Sequence, residues 1–138
     1  MIKLIIGEKG AGKTKALIER VNTTVDTTKG SVVVIAKGKK LMHEVKYQAR
    51  LIDTDECDIN NPHSLYGLVA GVISSDYDAH DIFIDSALKI IENDVAEFEV
   101  LVPMLDKLTA AQGINLTMTS SISKENLPAS LNKYVEAI

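Results

Sequence analysis

Gly7-Glu8-Lys9-Gly10-Ala11-Gly12-Lys13-Thr14 is an octet whose residue types and spacing suit the holding of phosphate. Glycines at its first, fourth and sixth positions let backbone N–H groups converge on one anion without side-chain clash. A helix starting at Lys13 would aim the positive end of its dipole at the same point. The Lys13 amine would then reach the β- and γ-phosphate oxygens of a nucleotide, and the Thr14 hydroxyl would ligate Mg²⁺. The expected phosphate-binding set is Gly7, Glu8, Lys9, Gly10, Ala11, Gly12, Lys13, Thr14 and Lys15. Such a loop needs a carboxylate at the end of a neighbouring strand to hold the metal through water. Asp85, which closes the apolar run "IFID", is the candidate, so the expected metal residues are Thr14 and Asp85.

These residues must be positioned by strands and helices, and the hydrophobic pattern supplies both. "IKLII" (2–6) reads as a buried strand that delivers the glycine loop. Leu17, Val21 and Val25 recur every four residues in a helix from Lys13 to about Val25. "SVVVIA" (31–36) has no polar alternation, as in a parallel strand covered on both faces. Leu41, Met42, Val45 and Ala49 suggest a short helix after it, and "RLIDT" (50–54) a third strand. Asn61-Pro62 reads as an N-cap followed by proline at the first helical position. Leu65, Leu68, Val69, Val72 and Ile73 would form that helix's buried face. "DIFIDS" (81–86) is the fourth strand, and "INLTMTSS" (114–121) the fifth. Between them a long helix runs up to Gly113, with a kink or restart expected at Pro103. Pro128 opens a last helix carrying Leu131, Tyr134 and Val135. Strands alternating with helices predict a three-layer α/β/α domain with a five-stranded, mainly parallel sheet. The whole of 1–138 reads as one domain.

The octet is the P-loop, or Walker A, motif, and Asp85 stands as Walker B. With the strand–helix order around them, the chain resembles the RecA-like ATPase core of the P-loop NTPases. The resemblance implies a strand order of 3-2-4-5-1 and ATP (or GTP) with Mg²⁺ as cofactors. It implies a catalytic role for Lys13 and a polar sensor at the end of the fifth strand, where Thr119 and Ser120 stand. The chain also departs from the family. A glutamate usually ends the second strand, and here "VVVIAKGKK" brings Lys37, Lys39 and Lys40 instead. The residue after Asp85, another place for the base, is Ser86. Glu44, Asp53 and Glu56 remain as substitutes. The implied function is a Mg·ATP-binding protein, a slow or assembly-dependent ATPase. Lys124, just past the fifth strand, stands where a cation could serve a neighbouring subunit. The missing base also suits a nucleotide-gated interaction module. A nucleoside kinase fits less well, because no Arg follows Asp85 to form a basic lid.

Composition narrows the classes further. The net charge of −4 hides an asymmetry: residues 1–50 hold 11 Lys/Arg and 4 Asp/Glu (+7), and residues 51–138 hold 4 and 15 (−11). The acidic total argues against a general nucleic-acid binder. Four Tyr, two Phe and no Trp leave little surface for stacking bases. The two halves instead suit contact with one another, within one fold or head to tail in a homo-oligomer, or contact with another protein partner. No apolar run is long enough to span a membrane. "MIKLII" meets Gly7 and Glu8 too soon for a signal peptide. The single cysteine, Cys57, fits a reducing, cytoplasmic setting. "DTDECD" (53–58) lacks the ligand offsets of a calcium loop. His43, His63 and His80 lack zinc spacing.

Overall fold

The computed structural model describes residues 1–136; the last two residues of the expected 1–138 domain lie outside them. Five strands, β1 (Ile2–Gly7), β2 (Ser31–Ala36), β3 (Arg50–Asp53), β4 (Ala79–Ile84) and β5 (Asn115–Ser121), form one sheet. Every strand pair is parallel. The order is β1-β5-β4-β2-β3, which counted from the β3 edge is 3-2-4-5-1.

The pleat explains why β2 is apolar from Val32 to Ala36. Val32, Val34 and Ala36 pack under helix α1 (Lys13–Thr27), against Leu17, Val21 and Phe83. Val33 and Ile35 face the opposite way. There, with Ile82, Ile84, Leu116 and Met118, they meet α2 (Pro62–Ser75) and α4 (Val95–Gln112). Both faces of the sheet are therefore covered, as parallel sheets require. Because the strands are all parallel, their carboxyl ends share one edge, and the loops that follow them share one crevice.

Local signals place the helix ends. Asn61 caps α2: its side chain accepts from the Ser64 N–H at 2.8 Å, and the Ser64 hydroxyl accepts from the Asn61 N–H at 3.2 Å. This is a reciprocal capping box, with Pro62 at the first turn. Gly113 ends α4 at φ +67°. The helix runs through exposed Pro103 without a restart. The final helix is a short 3₁₀ turn, Ala129–Tyr134, rather than an α-helix. It carries the chain back to β1, where Val135 bridges Leu4 and the Glu136 N–H donates to the Leu4 carbonyl at 2.8 Å. Arg20 holds the Glu136 carboxylate at 2.7 Å, which keeps that carboxyl below its ordinary pKa and raises that of the guanidinium. The otherwise open β1 edge is covered in this way.

The helix expected over Leu41–Ala49 does not form. Leu41, Val45 and Ala49 are buried as their spacing implied, but the backbone runs in successive turns. Asn22 of α1 reaches across and takes two of its hydrogen-bonding groups. The Asn22 amide donates to the Glu44 carbonyl at 3.0 Å and accepts from the Lys46 N–H at 2.9 Å. Those are groups that a helix would have used for itself. A four-residue helix absent from the sequence reading, α3 (Ala87–Ile90), follows β4 instead. Among the described residues no helix is long and apolar enough to cross a membrane.

Asn22→Ala should cost about 1 kcal/mol of stability, the usual worth of such bonds. It should speed amide exchange at Lys46 more than anywhere in the sheet. Unchanged protection at Lys46 would show that the turns hold without Asn22.

Candidate functional site

β1 delivers the chain to Gly7, where a side chain would be crowded. A Cβ there would lie 3.2 Å from Ala11 Cβ and 3.7 Å from Lys13 Cδ. Gly10 and Gly12 both sit at φ +88°, a left-handed conformation that favours glycine. The Ala11 N–H closes the turn onto the Glu8 carbonyl at 3.1 Å. The first helical bond of α1 is Ala16 N–H to Gly12 carbonyl, at 3.0 Å. Gly12 is the N-cap and offers no side chain to the first turn. Among the described residues the N–H groups of Lys13, Thr14 and Lys15 find no acceptor in the protein. The loop thus presents convergent donors where the helix dipole is positive.

Lys13 folds back over this loop. It is 7% exposed, and its amine donates to the Glu8 carbonyl at 2.7 Å. Burial lowers its pKa from the ordinary lysine value, and the charge of Asp85 partly restores it.

Asp85 lies one residue past β4 and is 3% exposed. Its N–H extends the ladder to the Ile35 carbonyl at 2.9 Å. Three hydroxyls donate to its carboxylate. Thr119 reaches Oδ1 at 2.8 Å, Thr14 reaches Oδ1 at 3.1 Å, and Ser86 reaches Oδ2 at 3.3 Å. Thr14 and Asp85, the two expected metal residues, are 71 apart in sequence and in direct contact. Among the described residues no Lys or Arg forms an ion pair with this buried carboxylate. A buried carboxylate with hydroxyl partners and no paired cation suits a divalent ion. Yet no group of three or more His, Cys, Asp or Glu stands ready for a metal among the described residues. An ion here would need oxygens from elsewhere to complete its shell.

The two sensor candidates are both buried and both engaged inside the protein. Thr119 donates to Asp85 and accepts from the Ser86 N–H at 2.8 Å, and Ser120 accepts from the Leu88 N–H at 3.4 Å. The strand-end hydroxyl on the cleft wall is that of Ser121. The cleft measures about 520 Å³ and holds five lysines: Lys9, Lys13, Lys15, Lys40 and Lys89. No acid lines it. Lys40, Lys89, Asn93 and Ser121 were missing from the sequence reading of the site. Lys40 comes from the turns after β2 and Lys89 from α3, so only the tertiary fold brings them here.

The three acids considered as bases lie elsewhere. Asp53 accepts from the N–H groups of Gly38 and Asp55, both at 2.9 Å. Glu56 pairs with Lys39, and Asp55 with Lys37 at 2.7 Å. Glu44 is exposed in the segment held by Asn22. The acidic loop 53–58 therefore neutralises Lys37 and Lys39, and Cys57 on it is exposed. Lys124 is exposed in the turn after β5.

The burial of Lys13 has a pH signature. A depressed folded pKa means that the folded state binds this proton less tightly than the unfolded state does. The wild type should therefore gain stability relative to Lys13→Met as pH rises through the lowered folded value toward 10.5, the unfolded value. Denaturant titrations of both proteins at pH 7 and pH 10 measure the gap; a gap that stays constant would contradict the burial of a charged amine. No family model matches the chain and no curated protein matches it, so the reading of this site rests on its own residues.

Proposed function

We propose that the chain is a P-loop domain of the RecA-like type that binds Mg·ATP, or Mg·GTP, in the lysine-lined cleft. One observation carries the reading: the Thr14 hydroxyl meets the buried Asp85 carboxylate beside a glycine loop with open backbone donors. In this reading the N–H groups of the first turn of α1 hold the β-phosphate. Lys13 leaves the Glu8 carbonyl for the β- and γ-oxygens. Thr14 and Asp85 would hold Mg²⁺, and phosphate oxygens would supply the ligands that the described residues lack. When bound, Mg²⁺ offsets charge on the phosphates. Thr119 keeps Asp85 oriented rather than touching nucleotide, and Lys40 and Lys89 add positive charge at the outer phosphates. A cytoplasmic setting goes with this reading.

Turnover is expected to be slow. The cleft wall carries no acid, and a general base contributes about 10²–10⁴ in rate. That same observation supports a second reading, a nucleotide-gated interaction module in which ATP orders a surface for another copy or another protein. Assembly, with Lys124 reaching a neighbouring site, is the alternative route to activity. A small-molecule kinase has less support, since no Arg lines the cleft.

Calorimetry tests the reading. Mg·ATP should bind the wild type, and Lys13→Ala should weaken it about ten- to a hundredfold, the worth of one or two charged hydrogen bonds. Asp85→Asn should leave metal-free affinity nearly unchanged and remove most of the gain from Mg²⁺. A folded wild type that binds no nucleotide would refute the proposal, and an unchanged Mg²⁺ gain in the variant would remove Asp85 from the metal site.

A further inference from the structure

Three lysines follow β2, and the fold treats them differently. Lys37 pairs with Asp55 at 2.7 Å, and Lys39 pairs with Glu56. Lys40 forms no ion pair among the described residues, and it is the one that lines the cleft with Lys13 and Thr14. Between the paired lysines, the Gly38 N–H donates to Asp53 Oδ1 at 2.9 Å. The same oxygen accepts from the Asp55 N–H at 2.9 Å, so Asp53 ties both loops at one atom. The Thr54 N–H, bonded to the Ala36 carbonyl at 2.9 Å, carries the β2–β3 pairing up to this point. On the other side of Lys40, Leu41 is buried, and the Met42 N–H closes a turn onto the Lys39 carbonyl at 3.1 Å. The Lys40 backbone is therefore held from both sides, while its amine is left free. Gly38 sits at φ +88°, and a Cβ there would meet open space. Glycine at this position serves the backbone conformation and not the packing. Exposed ion pairs hold weakly on their own, so the two backbone bonds to Asp53 are the centre of the arrangement.

We propose that the acidic loop 53–58 is a clasp that sets Lys40 in the cleft as a phosphate-binding lysine, with Asp53 as the positioning residue. The inference rests on the nucleotide-binding reading above. Asp55 and Glu56 occupy Lys37 and Lys39, so one lysine of this segment serves the cleft. Asp53 fixes the backbone that carries it. A lysine already held in place loses less freedom when a phosphate binds, and that saving appears as affinity. The acids of the loop act on the nucleotide through geometry, although their charge alone would oppose a polyanion.

The sign of one substitution tests this. Asp53→Ala removes a negative charge from the chain that must take a polyanion, so electrostatics alone would tighten Mg·ATP binding. The clasp requires the reverse. By calorimetry with Mg·ATP, Lys40→Gln should bind about tenfold more weakly than wild type, the worth of one charged hydrogen bond. Asp53→Ala should lose part of the same affinity, about threefold or more. Asp53→Asn keeps an acceptor oxygen for both N–H groups and should recover most of that loss. In a Lys40→Gln background, Asp53→Ala should cost nothing further, because both changes act through one amine. Gly38→Ala strains the same backbone and carries the same comparison if Asp53→Ala does not fold. Binding by Asp53→Ala as tight as wild type or tighter would overturn the proposal, as would an equal loss with and without Lys40. A wild type that binds no Mg·ATP would overturn the nucleotide reading, and the clasp's role with it; a wild type that binds while the variants behave otherwise sinks the clasp alone.

Discussion

The carboxylate of Asp85 joins the parts of this molecule that matter. It sits at the carboxyl end of β4 and accepts hydroxyls from Thr14 on α1, Ser86 at the start of α3 and Thr119 on β5. Three separate stretches of chain are fixed at one buried point. An unpaired carboxylate in a protein interior is costly, and hydroxyl donors offset part of that cost. The rest of the fold serves this contact. β5 stands between the glycine-loop strand and the Asp85 strand, so Thr119 is placed to hold Asp85, and the loop after β1 sets Thr14 in the first turn of α1.

Much of this was legible in the sequence, because the signals are local. The glycine loop needs only its own backbone. The apolar runs of β1, β2 and β4 mark a sheet buried on both faces. Asn61-Pro62 carries its cap within four residues. Asp85 is visible as an acid that ends an apolar run, and its burial at the end of β4 follows from that position.

What was not legible depends on distant partners. Leu41, Val45 and Ala49 have helical spacing, and their burial fits it, but the hydrogen bonds were decided by Asn22, about twenty residues earlier. The four residues of α3 are too few to show a period. Ion pairs between the lysines after β2 and the 53–58 loop require β2 and β3 to be neighbours. The sensor reading named Thr119 and Ser120 by strand-end position. Pleat parity then turned Thr119 toward Asp85 and Ser120 toward the Leu88 N–H, leaving Ser121 at the cleft. Lys40 and Lys89 join the site only because their loops follow neighbouring strands.

The central claim is that Thr14 and Asp85 form half of a metal site that a nucleotide completes. Electron paramagnetic resonance of Mn²⁺, used in place of Mg²⁺, tests this directly by counting bound ion with and without ADP. The account predicts no stoichiometric Mn²⁺ binding to the protein alone and one equivalent bound once ADP is present. Tight Mn²⁺ binding without nucleotide, or none with it, would contradict the account.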